Sequence, residues 1–180
     1  MRVIGGTRRG TKLQSLEGET TRPTTDRIKE TLFNMINFDL PECTFLDLFS
    51  GSGSIGIEAL SRGAKEAIFV EKDKEAFQII RKNIEKTRLQ ENSIVHNREV
   101  EKVFKMLSKK EFDVIFMDPP YHYENIEDIL YKIVENNILA KDGKIIIENS
   151  SDALPVKCNK LKIVREKVFR TTTLTFWEKI

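Results

Sequence analysis

The sequence predicts an α/β fold of the Rossmann-like, doubly wound kind: a mostly parallel seven-stranded sheet with helices on both faces, an antiparallel C-terminal strand, and a small N-terminal hairpin and helix. Three observations predict it. Five apolar runs alternate with segments of helical period, the pattern of βαβ units. A glycine-rich stretch, DLFSGSGSIG, leaves the first of those runs and opens the helix that follows. After the fifth run the alternation stops, and two strand-like stretches separated by a short turn close the chain.

Taken in order, Arg2–Ile4 and Lys12–Leu16 flank the turn Gly5-Gly6-Thr7-Arg8-Arg9-Gly10, which predicts a hairpin. Pro23 then precedes Thr24-Thr25-Asp26, residues suited to a helix N-terminus, and Ile28, Leu32, Met35 and Ile36 fall on one helical face. Buried strands are predicted at Thr44–Phe49, Ala67–Glu71, Ser93–His96, Phe112–Met117 and Lys144–Glu148, with helices over Gly53–Arg62, Lys74–Arg88, Val100–Leu107 and Ile126–Asn136. Lys160–Phe169 and Thr172–Glu178 read as an antiparallel pair at the sheet's far edge. With no repeat or linker, residues 1–180 are expected to form one domain, of which 1–40 are a hairpin-helix extension.

The 180 residues are 39% hydrophobic and 32% charged, enough for a single core. No apolar run approaches the roughly 20 residues of a membrane span, and the N-terminus lacks a signal-peptide segment, so a cytoplasmic protein without a membrane partner is expected. Cys43 and Cys158 lie far apart without C-x-x-C spacing; neither a disulfide framework nor a zinc site is expected of them. The formal net charge of +2 conceals an uneven distribution: residues 1–29 carry seven Lys/Arg against three Asp/Glu, and residues 157–170 carry six against one. Basic ends around an acidic middle suit either a phosphate-rich partner that touches both ends or a plainly solvated surface.

Gly51, Gly53 and Gly56 stand in G-x-G-x-x-G spacing between a strand and a helix. Glycines there permit a tight turn and a close backbone approach, and the helix N-terminus offers N–H groups. Glu71 ends the next strand, 20 residues beyond Gly51, where an acid can accept from both hydroxyls of an adenosine ribose. An adenosine cofactor is therefore expected, held by these residues with Phe49 and Ser52 beside them. The loop alone serves a dinucleotide or S-adenosylmethionine; Asp47 leans toward the second, because its carboxylate can meet an ammonium but would repel a pyrophosphate.

FDVIFMDPPY places Asp118, Pro119, Pro120 and Tyr121 at the end of the fourth parallel strand, on the same sheet edge as the glycine loop. Two prolines fix the backbone and remove two donors, leaving carbonyls as acceptors. Asp118, expected buried and unpaired, adds a carboxylate, and Tyr121 a flat face. The group suits a planar ring that bears an amine. The competing reading is a strand end whose tyrosine packs into the core.

These motifs together resemble the class I S-adenosylmethionine-dependent methyltransferases that modify exocyclic amines of bases. RRGTKL and RPTTDRIKETLFNMI extend the resemblance over nearly the whole chain, to the bacterial 16S rRNA (guanine(966)-N(2))-methyltransferase family. The resemblance implies methyl transfer to the N2 amine of a guanine in 16S rRNA or the small subunit, by a monomer without a metal or an obligate protein partner. It implies phosphate contacts at Arg8, Arg9 and Lys12, and Arg170 and Arg22 join them as RNA-binding candidates; Arg22 and Thr24 equally suit helix capping. Two places depart from the family pattern. The adenine-contacting acid after the third strand is replaced by Glu99, and a Tyr-Gly near the last turn by Phe169-Arg170. His122 and His96 have no assigned role. The alternatives are a DNA adenine-N6 methyltransferase, for which the chain has no room for a target-recognition region, a non-catalytic RNA-binding module, and an NAD-dependent oxidoreductase.

Overall fold

The computed structural model describes residues 1–16, 25–121 and 123–180. Arg22, Thr24 and His122 lie outside them.

Seven strands form one sheet: β1 (Thr44–Leu48), β2 (Glu66–Glu71), β3 (Ser93–Asn97), β4 (Phe112–Met117), β5 (Leu139–Ser150), β6 (Leu161–Val168) and β7 (Thr172–Lys179), in the order β3-β2-β1-β4-β5-β7-β6. The first five are parallel and β7 runs antiparallel to both β5 and β6. The α-helices among the described residues are α1 (Asp26–Met35), α2 (Ser54–Ser61), α3 (Lys74–Thr87), α4 (Phe104–Leu107) and α5 (Ile126–Glu135). Alternate strand residues face opposite sides, so each face has its own core. Phe45, Phe69 and Phe116 pack with Leu32, Ile57 and Ile80 under α1, α2 and α3. Leu46, Ile68 and Ile115 pack with Phe104, Ile129 and Ile133 under α4 and α5.

Two elements differ from expectation. Val100–Leu107 is a 3-10 turn over Val100–Lys102 followed by α4, rather than one helix. Val100, Val103, Phe104 and Leu107 are all buried, so the apolar face survives, while the β-branched valines fit a continuous helix less well. β5 starts five residues earlier than Lys144. Its register shifts between Phe112 and Val114, and a side chain on Gly143 would come within 2.9 Å of the Phe112 carbonyl, so the polar Lys141-Asp142-Gly143 stretch rides along the strand as an irregularity.

The N-terminal hairpin is short: Arg2 bridges Lys12, Val3 N–H donates to the Thr11 carbonyl at 3.0 Å and Gly10 N–H to the Val3 carbonyl at 2.8 Å, with a 3-10 turn over Gly6–Arg8 at its tip. Glu58 of α2, fully buried, accepts from the Ile4 and Gly5 N–H groups at 2.9 and 2.7 Å. Arg62 Nε lies 2.8 Å from Glu58 and Lys29 Nζ 3.6 Å from it. Burial pushes the Lys29 ammonium's pKa down, although Glu58 and Asp26 pull it up. Lys29 also donates to the Arg2 carbonyl at 2.6 Å. A buried charge cluster thus fastens the hairpin along α2. Among the described residues no helix is long and apolar enough to cross a membrane.

Candidate active site

β1, β2 and β4 are parallel and adjacent, so the chain leaves all three at one edge of the sheet. Leu48 pairs with Met117, which makes Phe49 and Asp118 neighbouring exits. The Phe49–Gly53 loop, the Lys72 turn and the Asp118–Tyr121 turn therefore rim one cleft of about 1590 Å³.

The loop is built from the strand upward. Phe49 adopts φ 62°, which turns the chain sharply off β1. Ser50 Oγ donates to the Asp47 carbonyl at 2.7 Å and accepts from the Val70 N–H at 3.0 Å, locking the loop to β2. Asn83 of α3 donates to the Ser52 carbonyl at 2.9 Å and accepts from Gln14 N–H at 2.8 Å, which joins the hairpin's end to the loop. The three glycines divide the work. Gly51, with φ 53°, lines the cleft, and a Cβ there would enter open space. Gly53, with φ 78°, caps α2; its Cβ would point at Ile80, 3.1 Å away, and not toward a ligand. Gly56 lets α2 lie on β2, because a Cβ would fall 2.3 Å from the Phe69 ring. Gly53 and Gly56 thus shape the loop, and Gly51 and Ser52 face the cleft.

Asp47 lies beneath the loop, 1% exposed, and its carboxylate accepts from the Gly56 N–H at 3.0 Å. Burial pushes its pKa up to about 7, against the pull of that hydrogen bond, with nearby Glu71 adding to the rise. Glu71 accepts from Gly51 N–H and Asp73 N–H, each at 2.8 Å, and so fixes the loop while lining the cleft. Glu99 is on the rim, its carboxylate 2.5 Å from Lys102, whose hydrogen bond and charge hold its pKa down.

Asp118, Pro119, Pro120 and Tyr121 all line the cleft. Asp118 is half-buried and already partnered, which corrects the expectation of a buried, unpaired acid. Tyr121 is 66% exposed, so it does not pack into the core. Its hydroxyl lies 3.4 Å from an Asp152 carboxylate oxygen. The Pro120 carbonyl accepts from Tyr123 N–H at 3.0 Å and closes the turn.

The basic residues are less well gathered. Arg8 N–H bonds Ser61 Oγ at 2.9 Å, at the C-terminal end of α2, so the hairpin tip with Arg8 and Arg9 is about 12 Å of helix away from the glycine loop. Arg8 is half-buried, and its covered Nε has no hydrogen-bond partner among the described residues. α2 runs away from the sheet edge that carries the glycine loop and places this tip at its far end. Lys12 is exposed beside Arg2. Arg170, in the turn between β6 and β7, is exposed next to the cleft-lining Thr171 and Thr172.

Several cleft residues escaped the sequence reading. Glu148 of β5, 7% exposed, follows Ile147, the partner of Met117, and so stands beside Asp118. Glu101, Tyr123 and Asp152 also line the cleft. Only the strand order could have found Glu148, because it ends the strand next to the one that carries Asp118. Among the described residues that line it, nine are carboxylates and two, Lys72 and Arg98, are basic side chains, so the cleft favours a cationic or donor-rich ligand and disfavours a pyrophosphate.

Sheet order, an antiparallel β7 and an acid-lined cleft at the carboxyl edge define the class I methyltransferase fold. The chain belongs to the family described as conserved hypothetical protein 95, whose model matches residues 1–178. It is 37% identical over 182 residues to YlbH, a Bacillus subtilis candidate rRNA methyltransferase, with 99% of each chain covered. It is 36% identical to the ribosomal RNA small subunit methyltransferase D of Haemophilus influenzae, over 93% of this chain and 88% of that one. The solved structure of yhhF, a candidate methyltransferase from Escherichia coli, superposes with a TM-score of 0.86 at 30% identity, covering 99% of this chain and 97% of the other.

Proposed function

We propose that the protein transfers a methyl group from S-adenosylmethionine to the exocyclic N2 amine of a guanine in 16S rRNA of the small ribosomal subunit. The observation that carries this reading is the meeting of the glycine loop and the Asp118-Pro119-Pro120-Tyr121 turn in one acid-lined cleft. The relatives named as rRNA small subunit methyltransferases support the substrate class.

Gly51, Ser52 and Glu71 hold the cofactor by backbone and carboxylate, with Phe49 and Glu99 at its sides. Bound there, S-adenosylmethionine supplies an electrophilic methyl on a sulfonium, whose positive charge suits this lining. The chain's own part is orientation. The N2 nitrogen is a weak nucleophile because its lone pair is delocalised into the ring. Asp118 and the Pro119 carbonyl accept its two hydrogens, hold the amine out of conjugation and stabilise the positive charge that develops on it. The base leaves its stack to reach the turn, and Tyr121 offers a replacement face, worth about 1–3 kcal/mol. Asp118 and Glu148 side by side are acceptors, which suits guanine's adjacent N1–H and N2–H donors better than adenine's donor beside an acceptor.

The test is incubation with labelled S-adenosylmethionine and small subunits that lack the modification, followed by mass mapping of the product nucleoside. N2-methylguanine is the expected product. Efficient N6-methylation of adenine in duplex DNA, with the subunit left unmodified, would replace this reading with the alternative.

A further inference from the structure

Three loops that line the cleft converge on one side chain, Tyr123, which the chemistry above does not use. Its N–H donates to the Pro120 carbonyl, which closes the base-binding turn. Its hydroxyl donates to the carboxylate of Glu101, in the 3-10 turn that begins at Val100, directly after Glu99. Its ring stands nearly perpendicular to Phe49, with centroids 5.1 Å apart. Phe49 in turn holds a left-handed backbone conformation that a non-glycine residue keeps only when its surroundings impose it, and it is two residues before Gly51.

We propose that Tyr123, anchored by Glu101, is a positioning residue that links the cofactor-side loops to the Asp118–Tyr121 turn, so that cofactor occupancy and capture of the target base are coupled. This rests on the function proposed above. Packing alone accounts for the ring, which is half-buried against the α4 and α5 core. It does not account for the hydroxyl, whose hydrogen bond to Glu101 ties two loops that belong to different strands. Burial, and then the Glu101 carboxylate, push the Tyr123 hydroxyl's pKa up, so it remains a donor throughout the physiological range. A ligand that settles the 99–102 segment therefore also settles Glu101, the Tyr123 hydroxyl and, through the Tyr123 N–H, the Pro120 carbonyl.

The experiment measures how much the non-transferable cofactor analogue sinefungin tightens binding of unmodified small subunits, in the native chain, in Tyr123→Phe, in Glu101→Ala and in the double variant. Tyr123→Phe keeps the ring and removes only the tie. The native chain should show a coupling of about 5-fold or more, the lower end of ordinary allosteric coupling. Either single variant should bring that factor close to 1 with binary sinefungin affinity changed less than about 3-fold, and the double variant should be no worse than either. Glu101→Gln, which retains a neutral acceptor, should restore part of the coupling. A native chain that methylates the subunit yet shows no coupling, or full coupling in Tyr123→Phe, overturns the inference and leaves the functional reading intact. A native chain that methylates nothing in the subunit removes both.

Discussion

Asp47 is close to half-protonated at neutral pH because the loop that shapes the cofactor site also seals it from water. Its folded pKa of about 7 is above the ordinary 3.8, so between those values the folded protein keeps a proton that the unfolded chain releases. Its contribution to stability is therefore fullest below about pH 4 and is lost as pH rises through about 7. Asp47→Asn, which still offers Gly56 an acceptor, should remove that part of the pH dependence in urea unfolding at pH 5 and 8. A cation bound near the loop favours the carboxylate, so S-adenosylmethionine affinity should rise across pH 7 in the native chain and stay flat in Asp47→Asn. At the turn, Asp118→Ala should leave cofactor affinity unchanged in calorimetry and nearly abolish turnover. Tyr121→Phe should retain most activity and Tyr121→Ala little, since the proposed role is stacking; equal loss in both would assign the role to the hydroxyl. Glu71→Ala should weaken cofactor binding by about 1–3 kcal/mol, the scale of a charged hydrogen-bond partner.

At the scale of elements, α2 links two ends of the molecule. Its N-terminus carries the glycine loop and its far end carries the hairpin tip. Glu58 is the hinge of that arrangement, since it serves two hairpin N–H groups and two cations. Glu58→Ala leaves Lys29, 1% exposed, buried without its carboxylate, and should cost about 3–5 kcal/mol in chemical denaturation. Gly56→Ala acts differently: it drives α2 and Phe69 apart and should cost about 1–3 kcal/mol, with cofactor affinity falling because the loop moves with the helix.

Over the whole molecule, charge is sorted by place. The cleft is acidic, while the edge strand β6 is exposed along nearly its full length and carries Lys162, Arg165 and Lys167 toward Arg170 at the rim. An RNA held along that edge would be kept out of the cleft except for the base it delivers. Binding of small subunits should weaken steeply with salt. Arg170→Ala should raise the KM for the subunit and flatten the salt slope by about 1, and Arg8→Ala with Arg9→Ala should do less per residue, because the tip is on the far end of α2. An equal or larger effect at Arg8 and Arg9 would mean that the RNA wraps around the α2 side of the sheet.

The order of strands and helices was legible because it rests on local periodicity: each parallel strand is a short apolar run, and each helix shows one buried stripe. The glycine spacing and the Asp-Pro-Pro-Tyr turn were legible for the same reason, as compact chemistry at strand ends. What the sequence could not express is the distance between segments far apart in the chain. Glu148 stands beside Asp118 only because β5 pairs with β4, and Tyr123 meets Phe49 and Glu101 only because three loops leave the same sheet edge. Arg8 and Arg9 stand at the opposite end of α2 from the glycine loop only because that helix runs antiparallel to the strands. The sequence by itself determined which residues are available for chemistry. Strand pairing and helix direction decided which of them share a cleft, because those depend on long-range burial and hydrogen bonding that no local stretch encodes.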